Sequence, residues 1–262
     1  MEHVTAPDGT RIGYDCSGDG SPIVLVHGTT ADHTAWDRVR RYLEPNFTVH
    51  AMDRRGRGES GDGDEYDIHR EFEDVVAVVE DIGGTVDVVG HSYGAVCALG
   101  ASRLTEAIGR MVLYEPPLWT PGATLAPPEP LDRMAEQLAA EEYEGVLETF
   151  FRDVTMSEER LELYRSEPGW DERFAMAPTI PREVRMTDAY RPDPATFEDV
   201  TIPTRLLLGS ETEGPLVAGT EATHDYLPNS ELVMLPDQGH GATFDGPDVL
   251  ANAIEDFLVT SD

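Results

Sequence analysis

Short apolar runs recur along the chain, each bounded by Gly, Pro or Asp, which is typical of buried β-strands. Stretches with apolar residues at helical spacing lie between these runs. Strands that alternate with helices predict a mainly parallel sheet with helices on both faces. The predicted strands are residues 22–26, 47–52, 86–89, 110–114, 204–208 and 231–235. The predicted helices are residues 36–43, 68–82, 93–104, 216–227 and 249–258.

The alternation breaks once, between Pro116 and about Thr201. A Pro-rich exit from the preceding strand leads into apolar residues at helical spacing, and Ile202-Pro203 returns the chain to the sheet. We therefore expect a core formed by residues 1–116 and 202–262, with a helical cap inserted at residues 117–201. Aromatic side chains at helical spacing are more often core than ligand contacts, so we assign none of them to a site. The aromatic residues in question are Trp119, Tyr143, Phe150, Phe151, Tyr164, Trp170 and Phe174.

The length of 262 residues suits a single α/β domain with an insertion. No apolar run approaches the roughly 18 residues that a membrane-spanning helix needs. The N-terminus has neither the basic start nor the apolar stretch of a secretory signal peptide. These features predict a soluble, cytoplasmic protein.

The charge balance is strongly acidic: 51 Asp and Glu residues face 19 basic residues, all of them Arg, and the formal net charge is -32. A surface this negative repels nucleic acid and anionic lipid, so we expect neither as a partner. Repulsion among the carboxylates is strong in dilute buffer, whereas molar salt shortens the screening length to ~3 Å. The composition resembles that of proteins from salt-accumulating halophiles. The alternative is an ordinary acidic protein from a GC-rich genome.

The sequence offers no framework of disulfides or metal ligands. Cys16 and Cys97 are the only cysteines, and Cys97 falls in an Ala-rich apolar stretch that favours a buried position. Neither C-x-x-C nor H-E-x-x-H occurs in the chain. We therefore expect neither a metal nor a cofactor.

Gly90-His91-Ser92-Tyr93-Gly94 is the only G-x-S-x-G motif in the chain, and it joins a predicted strand to the predicted helix that begins near Tyr93. Small residues at both ends let the backbone turn sharply enough to expose the Ser92 hydroxyl at the carboxyl end of the sheet. The N-terminus of the following helix offers N–H groups to a developing oxyanion. This context favours Ser92 as a nucleophile over a glycine-bounded turn with an incidental serine.

At this motif the sequence resembles the α/β-hydrolase family, and the resemblance extends over nearly the whole chain outside the predicted cap. It implies the α/β-hydrolase fold, with a mainly parallel sheet, helices on both faces and an inserted helical cap. His27-Gly28-Thr29-Thr30 is similar to the family's H-G-x loop. The resemblance implies that the backbone N–H groups of Thr29 and Tyr93 form the oxyanion hole.

Two further features of the resemblance are interpreted as structural. His27 is expected to hold its own loop rather than to take part in the reaction. Residues 53–60 are similar to the family's D-x-R-G-x-G-x-S turn, which most often maintains the fold.

His240 is the predicted general base. It lies in the Gly-rich loop Gln238-Gly239-His240-Gly241, directly after a predicted strand and before the terminal helix. A mobile loop at that place can hold an imidazole over the nucleophile, and the order of serine before histidine matches that of the family. The histidines that lack this context are His3, His27, His33, His50, His69, His91 and His224.

The acid that would orient His240 departs from the commonest pattern of the family. Most relatives carry an aspartate three residues past the glycine that ends the strand closing here at Gly209, but this position is Thr212. A second arrangement, known among haloalkane dehalogenases, places the acid at the end of the preceding strand. Glu115 stands there, 23 residues after Ser92, and is the favoured acid. The alternatives that remain open are Glu211, Glu213 and the absence of an acid.

These residues imply acyl transfer to Ser92, with His240 as base and then acid, and with a glutamate orienting the imidazole. The expected function is hydrolysis of a small-molecule carboxylic ester or lactone without a cofactor. A serine in place of a nucleophilic aspartate argues against haloalkane dehalogenase and epoxide hydrolase activity. Two alternatives remain: another chemistry of the family, such as C–C hydrolysis, lyase activity or perhydrolysis, and a small-molecule receptor that turns over slowly.

Overall fold

The computed structural model describes residues 1–63, 65–118, 120–121, 124, 127–155, 158–166 and 169–259. The strands of these residues are β1 (Glu2–Thr5), β2 (Arg11–Ser17), β3 (Ser21–Val26), β4 (Phe47–Met52), β5 (Val86–His91), β6 (Ile108–Tyr114), β7 (Thr204–Gly209) and β8 (Ser230–Leu235). They form one sheet in the order β1-β2-β4-β3-β5-β6-β7-β8. All pairs from β4 to β8 across this order are parallel, which confirms the mainly parallel sheet predicted from the sequence.

Helices cover both faces of the sheet. One apolar cluster joins α2 and α3 to one face through Val79 and Val96, and a second joins α1 and α10 to the other through Val39 and Ile254. No helix among the described residues combines the length and the apolar character needed to cross a bilayer. The helices are α1 (Asp37–Leu43), α2 (Ile68–Ile82), α3 (Tyr93–Ala101), α4 (Pro128–Ala139), α5 (Tyr143–Phe150), α6 (Glu158–Arg165), α7 (Ile180–Ala189), α8 (Pro215–Tyr226), α9 (Ala242–Asp245) and α10 (Pro247–Leu258).

Helix α2 has a capping residue at each end. The Asp67 side chain accepts the backbone N–H of His69, which caps the first turn. Apolar residues such as Val75 and Val79 recur at helical spacing and are buried. Gly83 follows the last turn with a φ of 78°, a conformation that favours glycine.

Strands β1 and β2 form an antiparallel hairpin at one edge of the sheet, and the sequence pattern did not predict it. β1 is largely exposed, and β2 has exposed residues at its start and toward its end. An edge hairpin keeps part of its surface in water, so it lacks the continuous apolar run that marks the buried parallel strands.

The chain between β6 and β7 carries helices α4 to α7, here called the helical insertion. These helices share an apolar cluster that is separate from the two clusters of the sheet. Its buried members include Met134, Leu147, Phe151, Trp170 and Ile180. The insertion therefore has a small core of its own beside the sheet.

A buried network of arginines and glutamates ties the helical insertion to the sheet. The Arg54 guanidinium donates to both carboxylate oxygens of Glu71, at 2.7 and 2.9 Å, and to Glu183 Oε1 at 2.9 Å. Arg57 also pairs with Glu183. Glu71 lies on α2 and Glu183 on α7, and none of the four side chains is more than 1% exposed. Because unpaired charges at this depth would be costly, the network fixes α7 beside residues 53–60.

Candidate active site

Ser92 occupies a strained turn between β5 and α3. Its φ is 54° and its ψ is -125°, a left-handed backbone that residues other than glycine rarely adopt. The backbone N–H of Ser92 donates to Tyr114 O at 2.8 Å, which anchors the turn to the neighbouring strand β6. The hydroxyl therefore stands at the carboxyl end of the sheet and at the N-terminus of α3.

Gly90 and Gly94 are required by close backbone packing around this turn. A Cβ atom on Gly94 would collide with the carbonyl oxygens of Val26 and His27. A Cβ on Gly90 would collide with the backbone of Ala95. The glycines of the motif thus let the serine turn pack directly against β3 and the first turn of α3.

The loop after β3 lies against Ser92. A Cβ built on Gly28 would be 2.9 Å from the Ser92 Cβ, so the backbone at Gly28 passes directly beside the serine. Thr29 follows on this loop, and Tyr93 is the first residue of α3. In the part of the chain that the structure describes, neither of their backbone N–H groups donates to a protein acceptor. Both donors are therefore available to a developing oxyanion.

His27 links two loops beside the site and remains neutral. Its Nε2 accepts the backbone N–H of Arg54 at 3.1 Å, which assigns the proton to Nδ1, and Nδ1 donates to Gly28 O at 2.8 Å. Burial, together with the nearby guanidinium groups of Arg57 and Arg54, holds the pKa of His27 well below its usual value. A buried neutral imidazole with both nitrogens engaged suits a structural role.

Asp53 organises the turn of residues 53–60 from a fully buried position. Its carboxylate accepts the backbone N–H groups of His33 at 2.8 Å and of Glu59 at 2.9 Å, and the His33 ring at 2.8 Å. Asp32, His33 and Asp53 place ligand-type atoms within 4.8 Å of one another, a cluster that no sequence motif indicated. Asp53 is already hydrogen-bonded to backbone donors, so we interpret this cluster as a structural feature that holds the loop in place.

His240 follows β8 and is held by its neighbours on β5 and β6. His91 Nε2 donates to the backbone oxygen of His240 at 3.0 Å, and the centroids of the two rings lie 4.7 Å apart. The Tyr114 hydroxyl donates to Gly239 O and accepts the backbone N–H of Ala242 at 3.3 Å. Burial and the adjacent His240 keep the pKa of His91 well below its usual value, so His91 is a neutral donor.

Glu115 directly follows β6, is fully buried and has a φ of 48°. Its Oε2 accepts His240 Nδ1 at 2.5 Å. Its Oε1 accepts the backbone N–H of Gly209 at 2.7 Å and the hydroxyl of Thr212 at 2.6 Å. The carboxylate is therefore surrounded by three donors, one of which is the imidazole.

The two alternative acids occupy a different environment. Glu211 and Glu213 are exposed, and neither carboxylate contacts His240 within the described ranges of the chain. Sequence reasoning marked Thr212 as the position that lacks the usual aspartate but did not foresee that its hydroxyl would donate to Glu115. The roles of His91 and Tyr114 in holding the histidine loop were also missed, because no sequence motif couples those residues to the loop.

His91 connects Ser92 to His240. It directly precedes Ser92 in the chain, and its ring lies against the imidazole of His240. The Ser92 hydroxyl makes no hydrogen bond to a described residue, so the serine–histidine contact that proton transfer needs is not formed in this structure. Such contacts often tighten only when a substrate binds. The predicted serine, histidine and Glu115 thus lie in one region, with the direct contact made between histidine and glutamate.

Side chains of the helical insertion also reach this region. Tyr164 packs against Phe244, with 5.4 Å between ring centroids, and Arg173 donates to Thr30 O at 2.8 Å. The remaining aromatic residues of the insertion are placed differently. Phe150, Phe151, Phe174 and Trp170 belong to the insertion's apolar cluster, Tyr143 is 38% exposed, and Trp119 lies outside the described residues.

Comparison with known proteins identifies similarity over most of the chain. The family model described as the alpha/beta hydrolase family matches residues 23–253. The chain is also similar to the crystal structure of an alpha/beta hydrolase from Sphaerobacter thermophilus. The two are 30% identical with a TM-score of 0.87, and the match covers 98% of this chain and 99% of that one.

The chain is also similar in sequence to two curated proteins that are named as non-heme peroxidases. A non-heme haloperoxidase from Rhodococcus erythropolis is 37% identical over 127 residues, which is 45% of this chain and 46% of the relative. A non-heme chloroperoxidase, CPO-A1, from Kitasatospora aureofaciens is 27% identical over 259 residues, which is 92% of each chain. The match thus spans less than half the length of the first relative and most of the second.

Proposed function

The chain belongs to the alpha/beta hydrolase family, and from that premise we propose that it hydrolyses a carboxylic ester or a lactone through an acyl-enzyme on Ser92. The observation that carries the proposal is the 2.5 Å hydrogen bond between His240 Nδ1 and the buried Glu115 carboxylate, beside the strained turn at Ser92. A carboxylate on Nδ1 fixes the imidazole tautomer and leaves Nε2 to accept a proton.

In the proposed reaction, His240 Nε2 takes the hydroxyl proton as Ser92 Oγ attacks the carbonyl carbon of the substrate. The bond to the leaving alcohol then breaks, and the imidazolium returns its proton to the alcohol oxygen. Water, deprotonated by the same nitrogen, then attacks the acyl carbon. The bond to Ser92 Oγ breaks, the imidazolium returns its proton to that oxygen, and the carboxylic acid leaves. The Glu115 carboxylate stabilises the imidazolium in both halves of the cycle.

The backbone N–H groups of Thr29 and Tyr93 are the proposed oxyanion donors. Their lack of protein acceptors in the described residues supports this role, as does the position of Tyr93 at the N-terminus of α3. One such donor typically contributes about 100- to 1,000-fold to the rate. The scheme needs no cofactor, since proton transfer and oxyanion stabilisation come from the chain itself.

A panel of 4-nitrophenyl esters of increasing acyl length, together with lactones, assayed in molar KCl tests this proposal. We expect sustained turnover of at least one member. Ser92→Ala should reduce kcat to less than about a hundredth while leaving the circular-dichroism spectrum unchanged, because the change removes one hydroxyl and little packing. A variant that keeps more activity than this would exclude Ser92 as the nucleophile. A single burst with tightly retained product would instead indicate a receptor.

Perhydrolysis is a second candidate function, favoured by the similarity to a non-heme chloroperoxidase over 92% of this chain. In that reaction hydrogen peroxide would replace water in the attack on acyl-Ser92, and a peracid would leave. The assay supplies 4-nitrophenyl acetate with hydrogen peroxide and measures the peracid by its oxidation of bromide. Peracid formation above the level of Ser92→Ala would support this activity.

A further inference from the structure

Arg173 lies over the loop beside the candidate nucleophile. It belongs to the short helix Asp171–Thr179 of the helical insertion and is half-buried. Its Nη1 donates to Thr30 O at 2.8 Å. Thr30 is two residues from Gly28, whose backbone passes beside Ser92. The guanidinium therefore sits next to the proposed oxyanion loop.

A second contact holds Arg173 toward the histidine loop. Its guanidinium carbon lies 5.8 Å from the centroid of the Tyr164 ring. The Tyr164 hydroxyl is 3.2 Å from the position that a Cβ on Gly241 would occupy, and Gly241 directly follows His240. Arg173 thus contacts the loop beside Ser92 directly and approaches the loop that carries His240 through Tyr164.

The other N–H groups of the Arg173 guanidinium have no acceptor among the residues that the structure describes. Two neighbouring arginines of the insertion are engaged by carboxylates, Arg160 by Asp245 and Arg182 by Asp62. The chain carries 51 acidic residues and only 19 basic ones, so its surface is strongly negative. An anion approaching so negative a surface needs a local cation in order to bind.

We propose that Arg173 binds a carboxylate of the substrate, so that the favoured substrates are esters with a second, free carboxylate near the scissile carbonyl. The hydrogen bond from Nη1 to Thr30 O fixes the plane of the guanidinium. Nε and Nη2 then remain as a pair of parallel donors, which match the two oxygens of a carboxylate. This inference rests on the proposed esterase function and names its substrate class.

The test compares two pairs of esters whose members differ by one charge. In the first pair, mono-4-nitrophenyl adipate has a free carboxylate on the acyl group and its methyl ester does not. In the second pair, 4-acetoxybenzoate has a free carboxylate on the leaving alcohol and methyl 4-acetoxybenzoate does not. The ratio of kcat/KM for the charged and neutral members is measured at one KCl concentration for wild type, Arg173→Gln and Arg173→Lys. Arg133→Gln is the control, since Arg133 is an exposed arginine of α4 that pairs with Glu129 and Asp153.

Arg173→Gln should lower this ratio about 10-fold in at least one pair, mainly through KM, because a half-buried hydrogen bond to a charged group is typically worth about that much. Arg173→Lys should recover part of the loss by keeping the charge, and Arg133→Gln should leave the ratio unchanged. Equal losses on both members of each pair would overturn the inference, because Arg173 would then only position the Thr30 loop.

Calorimetric binding of monomethyl adipate separates this inference from the proposed function, when each of the compared proteins also carries Ser92→Ala so that the ester is not hydrolysed. If no ester is hydrolysed by wild type, the proposed function fails, but weaker binding to Arg173→Gln than to wild type and Arg133→Gln would still support a carboxylate site. Equal binding to all three proteins would overturn that site even if Ser92-dependent hydrolysis of the neutral esters is observed.

Discussion

Glu115 lies at a strand end where the surrounding residues supply donors to both oxygens of its carboxylate. Its Oε1 accepts Gly209 N–H and the Thr212 hydroxyl, while its Oε2 accepts the His240 imidazole. The Thr212 side chain is a donor at the position where the resemblance to the family led us to expect an acid. A carboxylate at that position would repel Glu115 instead of donating to it. The threonine and the relocated glutamate are therefore chemically consistent with each other.

The acid assignment predicts different effects for three isosteric changes. Glu115→Gln should lower kcat about 1,000- to 10,000-fold, because the amide cannot fix the productive imidazole tautomer or stabilise the imidazolium. Glu211→Gln and Glu213→Gln remove the same charge from exposed positions and should retain most of the activity. Steady-state kinetics on one activated ester compare them. If Glu211→Gln lost far more kcat than Glu115→Gln, the acid would lie after β7 instead.

At the scale of elements, the position of α7 depends on buried charge rather than on apolar packing alone. Glu183 of α7 forms ion pairs with Arg54 and Arg57, which lie in the turn after β4. Within the described residues, Arg57 Nε and Nη1 and Glu183 Oε2 are buried without a protein partner, so the network satisfies only part of its hydrogen-bonding capacity. The network therefore places α7 specifically, while the cost of burying these charges offsets part of the attraction between them.

Glu183→Gln should lower the free energy of unfolding by about 3 kcal/mol, since it leaves the buried Arg57 without its counter-charge. Urea unfolding followed by circular dichroism measures the difference. Glu136→Gln is the matched control, because Glu136 is an exposed residue of α4 whose loss should change stability by less than about 0.5 kcal/mol. Equal stabilities of the two variants would show that the network contributes nothing to the docking of α7.

At the scale of the whole molecule, burial of arginines leaves the surface more uniformly acidic than the composition alone suggests. Arg54, Arg55 and Arg57 are all buried. Their carboxylate partners include Glu71, Asp74 and Glu183, which are buried as well. These buried pairs are close to neutral and contribute little charge to the surface. The net charge of -32 is therefore carried by a surface with fewer cations to interrupt it.

This charge distribution predicts that the melting temperature and the activity rise as KCl increases into the molar range, and that dilute buffer destabilises the protein. Screening acts on exposed carboxylates, and tenths of a kcal/mol from each one sum to a large part of a typical stability of about 5–15 kcal/mol. Buried pairs are screened much less, so the effect of Glu183→Gln should persist at high salt. Circular-dichroism melts across a KCl series measure both. A melting temperature that stays flat or falls would contradict the halophile interpretation.

The sequence determined the features that depend on neighbouring residues. Apolar runs gave the parallel strands, because a strand buried on both faces has no exposed position to fill with polar residues. The G-x-S-x-G motif indicated the Ser92 turn, because close packing there excludes a Cβ at Gly90 and Gly94. Helix α3 ends at Ala101 rather than at the predicted residue 104, since ends depend on weaker local signals.

Only the tertiary structure decided the features that join distant parts of the chain. Glu115 and His240 are 125 residues apart, and Arg54 and Glu183 are 129 apart, so no local pattern couples either pair. Glu115 differs from Glu211 and Glu213 in its burial and in the donors that β7 and its following turn bring to its carboxylate. Local periodicity encodes which face of an element is buried, whereas the partners of a buried charge depend on how the whole sheet and its insertion pack together.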